Sequence, residues 1–150
     1  MIRPLQLHEI ARISTIGDEF SAEADYPGGF SLDRFCKVWA PLIASDRGEV
    51  LIAETNEGEL AGAIGVAFIE DGFSGHPVAM ESFWYVRKQF RSTRAGLNLF
   101  FGFENAGRAR KVKKYVMVHL VALGAEKLHA FYESQGYKLT EQTFVKVVKD

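Results

Sequence analysis

Hydrophobic positions change period several times along this chain, and each change marks an element. After a first short strand over residues 1–5, Leu7, Ile10, Ile13 and Ile16 recur every three residues and predict a helix over about 7–20. Asp25-Tyr26-Pro27-Gly28-Gly29 breaks the pattern as a loop spanning about 23–30. Ser31 suits the N-cap of a second helix whose Phe35, Val38, Trp39, Leu42 and Ile43 share an apolar face. Pro41 marks a kink in it, or a boundary between two shorter helices. From Glu49 the pattern becomes strand-like: residues 50–53 and 60–69 predict a hairpin around Asn56-Glu57-Gly58. A Gly/Pro loop, Asp71 to Pro77, leads to a strand over 79–86. Leu99, Phe100, Phe103 and Ala106 then return to helical spacing. A strand over 114–120 follows, then a helix over 125–135 stopped by Gly136 in the C′ position, then closing strands over 137–140 and 143–148.

That order predicts an α/β fold: a three-layer sandwich with a mixed, mostly antiparallel central sheet and helices on both faces. At 150 residues, 47% of them hydrophobic and 25% charged, the chain suits one domain covering 1–150. The single cysteine, Cys36, excludes a disulfide framework, and no histidine pair has metal-ligand spacing, so no metal is expected. His119, on the strand over 114–120, reads as a core histidine or as a proton relay. No apolar run approaches the ~20 residues of a membrane span, and no signal-peptide core precedes the first strand. A cytoplasmic protein without a membrane partner is expected.

Charge adds a feature that composition hides. Residues 1–86 carry a net −9 and residues 87–150 a net +8, which leaves the overall −1. The reversal falls at Arg87-Lys88-Gln89-Phe90-Arg91-Ser92-Thr93-Arg94, four cations in eight residues without an acid. This basic turn sits between a strand and a helix N-terminus, where unpaired N–H groups and the helix dipole favour an anion. Charge also allows solvated faces, or an anion bound by the second half and a cation drawn to the first.

The strand ending at Val86, then Arg91-Ser92-Thr93-Arg94-Ala95-Gly96, then a helix, resembles the main motif of the GNAT superfamily of acyl-CoA-dependent N-acyltransferases, Arg/Gln-x-x-Gly-x-Gly/Ala. Arg91 and Gly96 match it, whereas Arg94 replaces the middle glycine. Ala130-Phe131-Tyr132-Glu133-Ser134-Gln135-Gly136-Tyr137 is similar to the family's second local pattern, although Ala125 stands where an Asn is common.

The resemblance implies acetyl transfer from acetyl-CoA to a primary amine by direct attack. It implies that Tyr85 and Val86 pair with the pantetheine arm, and that Arg91, Ser92, Thr93, Arg94, Ala95 and Gly96 hold the pyrophosphate. Tyr132 would protonate the departing thiolate, and Glu81 would serve as general base. Alternation places Glu81 on the same face as Phe83 and Tyr85, opposite Val86; a solvent-facing carboxylate is the other reading. Glu23, Asp25 and Tyr26, between the first two helices, would line the acceptor mouth. Arg108, Arg110, Lys111, Lys113 and Lys114 at the end of the central helix either complement its dipole or contact a phosphate. The acceptor is a small-molecule or protein amine, and a homodimer is a possible assembly. A GNAT-shaped protein without catalysis is one competing function. A nucleic-acid-binding or nucleic-acid-modifying protein is the other, disfavoured because the aromatics do not interleave with the basic run.

Overall fold

A computed structural model describes residues 1–149. Its order is β1 (Ile2–Pro4), a 3-10 segment (Leu7–Ile13), α1 (Ser14–Ala24), α2 (Leu32–Ala44), β2 (Gly48–Glu54), β3 (Leu60–Glu70), β4 (Pro77–Val86), a 3-10 turn (Lys88–Phe90), α3 (Ala95–Ala109), β5 (Lys114–Val116), a 3-10 turn (Val121–Leu123) and α4 (Ala125–Ser134). The sheet runs β1-β2-β3-β4-β5. All its pairs are antiparallel except β4–β5, which is parallel and connected through α3.

Successive residues of β2 serve two cores. Val50 and Ile52 pack with Leu5, Ile13, Ile16 and Trp39 under α1 and α2. Leu51 and Ala53 pack with Ile64, Val66, Leu99 and Phe103 under α3. Both faces are therefore covered, and strands with no polar face follow from that. On the α3 side, Phe131 of α4 meets Phe100 at 4.9 Å between ring centroids.

Several expectations change in the structure. The three-residue spacing of Leu7, Ile10 and Ile13 is the period of a 3-10 helix, and that segment is 3-10 before α1 begins at Ser14. Glu23 consequently lies in the last turn of α1 rather than in the following loop. Ser31 does cap α2, its Oγ accepting from the Arg34 N–H at 3.4 Å. The helix runs through Pro41, so no boundary falls there, and Val38 is exposed.

β5 pairs over three residues only, so His119 lies beyond the strand. No strand forms over 137–140 or 143–148, where Phe144 and Val148 are exposed. Strand propensity in Phe144-Val145-Lys146-Val147-Val148 is expressed only against a partner, and none meets it among the described residues.

Candidate active site

Two clusters form at the C-terminal half of β4, one on each face of the sheet. The first starts from a β-bulge. β3 pairs Val66 with Glu81 but Gly65 with Phe83, so Ser82 is the extra residue. The bulge flips the alternation. Phe83 and Tyr85 belong to the core under α1 and α2, whereas Ala79, Trp84 and Val86 belong to the core under α3. Glu81, opposite Val66, therefore faces the α3 side with Val86, and unbroken alternation gives the wrong face. Nor does its carboxylate face solvent: it is 4% exposed.

The β4–β5 ladder ends at Met80↔Val116, and Glu81 fills the gap where the strands part. Its Oε2 accepts from the Val118 N–H at 3.0 Å. The Val118 carbonyl in turn accepts from the Tyr132 hydroxyl at 2.7 Å. Burial pushes the Glu81 carboxyl up to about 7, against the opposing effect of the Val118 hydrogen bond. Burial, then the Glu81 charge, push the Tyr132 phenol above its ordinary value.

α4 fixes Tyr132 through its own ending. Gly136, at φ 88°, donates to the Glu133 carbonyl, and the Tyr137 N–H donates to the Tyr132 carbonyl, a Schellman closure. Tyr137 and Tyr132 supply its apolar contact at 5.8 Å. Trp84 Nε1 and both ring nitrogens of His119 are buried around Tyr132 with no hydrogen-bond partner among the described residues.

The second cluster joins α1 to the basic turn. Glu23 accepts from Tyr85 Oη at 2.7 Å and from both terminal nitrogens of Arg91, at 2.8 and 2.6 Å. Arg91 Nε donates to the Val86 carbonyl at 2.9 Å. The Arg91 guanidinium, then the Tyr85 hydroxyl, hold the Glu23 carboxyl down to about 2 against its desolvation. Burial, then Glu23, push the Tyr85 phenol up to about 12. Tyr26 packs its half-exposed ring on Phe20, and Asp25 closes α1 at φ 45°.

Between the clusters, the turn presents unpaired donors. The N–H groups of Ser92, Arg94, Gly96 and Leu97 meet no protein acceptor among the described residues, while that of Ala95 is taken by Thr93 Oγ1. Arg94 sits at φ −83°, ψ 5°, a conformation that does not require glycine, and its side chain is exposed. Neither Arg94 nor Lys88 has an ion-pair partner among the described residues. The residues present fit an extended anionic ligand.

The basic run after α3 is differently committed. Arg110 pairs with Asp46 and Glu49 and lies 3.8 Å over the Phe68 ring, and Lys114 pairs with Asp71. Arg110 also donates to the Ala106 carbonyl, in keeping with the dipole reading. An open depression of about 370 Å³ beside α3, lined by Ile2, Leu51, Asn98 and Phe101, contains neither Glu81 and Tyr132 nor the residues of the basic turn.

The bulge and the Val118 backbone contacts escape a reading of the sequence, whereas His119, read there as a core histidine or a proton relay, lies beside Tyr132. The one sequence signal of the bulge is Glu81-Ser82, a polar pair interrupting an apolar strand. Among the described residues no group of three or more His, Cys, Asp and Glu side chains could hold a metal ion. No helix among them is long and apolar enough to cross a membrane.

The family model described as Acetyltransferase (GNAT) family matches residues 13–137, and the chain belongs to that family of N-acetyltransferases. A search of the curated proteins found no significant match.

Solved structures share the fold at low identity. A protein from Clostridium acetobutylicum described as a predicted acetyltransferase, crystallised with acetyl-CoA, is 14% identical with a TM-score of 0.78, covering 97% of this chain and 94% of its own. Ribosomal-protein-alanine N-acetyltransferase from Brucella melitensis is 17% identical with a TM-score of 0.72, covering 99% of both chains. Glucosamine-6-phosphate N-acetyltransferase from Arabidopsis thaliana is 15% identical with a TM-score of 0.71, covering 99% of this chain and 98% of its own.

Proposed function

We propose that the chain transfers the acetyl group of acetyl-CoA to a primary amine by direct attack, with Glu81 as general base and Tyr132 as general acid. The observation that carries this reading is the convergence of the two side chains on the backbone of one residue, Val118, Glu81 at its N–H and Tyr132 at its carbonyl, where β4 and β5 separate. Acetyl-CoA supplies the acyl group already activated as a thioester. Glu81, with its carboxyl near 7, is partly ionised at neutral pH and accepts the proton of the amine as the nitrogen bonds to the acyl carbon. Tyr132 keeps its proton at neutral pH, and rotation of its hydroxyl away from the Val118 carbonyl aims that proton at the departing sulfur. The free N–H groups of Ser92, Arg94 and Gly96, with Lys88 and Arg94, hold the pyrophosphate. The backbone of Tyr85 and Val86 pairs with the pantetheine arm, and Glu23, Asp25 and Tyr26 line the acceptor side.

A thiol-release assay with acetyl-CoA and a panel of polyamines, amino acids, aminoglycosides and peptide N-termini identifies the acceptor. Tyr132→Phe then lowers kcat about 10²-fold or more while CoA binding, read by calorimetry, stays near wild type. Wild-type turnover in Tyr132→Phe removes the phenol from the mechanism. No heat with CoA at about 1 mM removes the cofactor assignment itself.

A further inference from the structure

Arg91 belongs to the pyrophosphate turn, yet its side chain is already committed. Its two terminal nitrogens clasp Glu23, its Nε holds the Val86 carbonyl, and its plane lies 5.3 Å from the Tyr85 ring centroid. Two guanidinium N–H groups and a phenol O–H converging on one carboxylate form a complete anion site, filled by the chain's own anion. Glu23 stands in the last turn of α1, where the helix dipole disfavours a negative charge. Of the other charges near it, Lys88 also lowers its carboxyl, Asp25 follows two residues on at the helix end, and Glu19 acts on Tyr85 and is held by Arg87. The side chains of Glu23 and Arg91 are 19% and 42% exposed, so the clasp can open without unfolding the core.

We propose that Glu23 is an internal occupant of the Arg91 anion site, displaced by the pyrophosphate of the cofactor and thereby freed to receive the ammonium of the acceptor. The proposal rests on the acetyl-CoA reading above and adds a residue that links the two substrates. With Arg91 turned to phosphate, Glu23 keeps only the Tyr85 hydroxyl and regains an unbalanced negative charge beside Asp25 and Tyr26. The carboxylate that competes with the cofactor in the free chain becomes a binding group for a cationic acceptor in the loaded one. Cofactor and acceptor then bind with positive coupling, each strengthening the other by the same factor.

Three measurements on the full chain test this. Carbon-detected NMR titration of the glutamate carboxyls follows Glu23 with and without saturating CoA. It stays ionised through pH 4 in the free chain and returns to the ordinary carboxylate range in the complex. Calorimetry with CoA compares wild type with Glu23→Gln, which binds CoA about 5-fold tighter or more because its competitor is gone. The KM of the amine identified by the panel rises about tenfold in Glu23→Gln, with kcat little changed.

Glu23 remaining ionised through pH 4 in the CoA complex overturns the proposal, as does unchanged or weaker CoA binding by Glu23→Gln. An unchanged amine KM overturns the acceptor half. The NMR arm needs no variant, so a poorly folding Glu23→Gln leaves the exchange testable. Failure of wild type to bind CoA is a separate result and sinks the cofactor reading instead.

Discussion

Glu81 carries opposite obligations at the scale of a single residue. Its burial makes it a base suited to neutral pH, and the same burial makes its ionised form costly to the fold. The folded carboxyl keeps its proton up to about 7, whereas an unfolded one releases it near 4.5. Between those values the folded state binds more protons, so stability falls as pH rises through this window and levels off above it. The full shift corresponds to about 3 kcal/mol. Urea unfolding from pH 4.5 to 8 should show that decline in wild type and a much flatter profile in Glu81→Gln. The activity of wild type should rise with pH through about 7, and Glu81→Gln should lose both that limb and about 10²-fold in kcat. A variant with the wild-type pH–rate profile would assign the limb to another group. Residue types alone suggested Glu81 and Tyr132 from the family pattern. Their meeting on the backbone of Val118 needed the fold.

At the scale of elements, legibility followed how local each cause is. The hairpin around Asn56-Glu57-Gly58, the Ser31 cap and the Gly136 stop are written in neighbouring residues, and all three form. The spacing of Leu7, Ile10 and Ile13 also showed its period, three, which is the 3-10 value. The bulge at Ser82 is a relation between two strands, and its determinant lies on the other one. A Cβ on Gly65 would stand 2.3 Å from Phe83 Cε1. The Phe83 ring therefore lies across Gly65, wedged edge-on against Trp39 at 5.6 Å and Phe35 at 5.9 Å. No window around Glu81 contains that information.

Gly65→Ala should force Phe83 from this seat, destabilising the fold by about 1–3 kcal/mol in urea melts. Because Phe83 anchors one side of the bulge and Glu81 the other, kcat should fall as well, with CoA binding less affected. Unchanged stability and turnover would show that the bulge does not depend on this packing. The closing strands fail for a related reason: their residues have strand propensity, but a strand also needs an edge to join.

The whole molecule explains the charge reversal at residue 87. Arg87 pairs with Glu19 and Glu59, Arg91 with Glu23, Arg110 with Asp46 and Glu49, and Lys114 with Asp71. Each of these pairs joins an acid of the negative half to a base of the positive half, so much of the asymmetry is spent holding the two together. Lys88 and Arg94, at the turn, are the neighbours left for an external anion. The reversal was legible in the sequence, but its division between folding and binding was not, because pairing partners lie 28 to 68 residues apart.

Exposed pairs contribute about 0.2–1 kcal/mol each, and 1 M salt shortens the screening length to about 3 Å. Urea unfolding at pH 7 should therefore show a loss of about 1–2 kcal/mol between low salt and 1 M NaCl. Urea suits the measurement because, unlike guanidinium chloride, it adds no ions of its own. Arg87→Gln, which removes the cation shared by Glu19 and Glu59, should be less stable at low salt and less sensitive to NaCl. Stability that rises with NaCl in wild type would mean that repulsion within each half outweighs attraction between them.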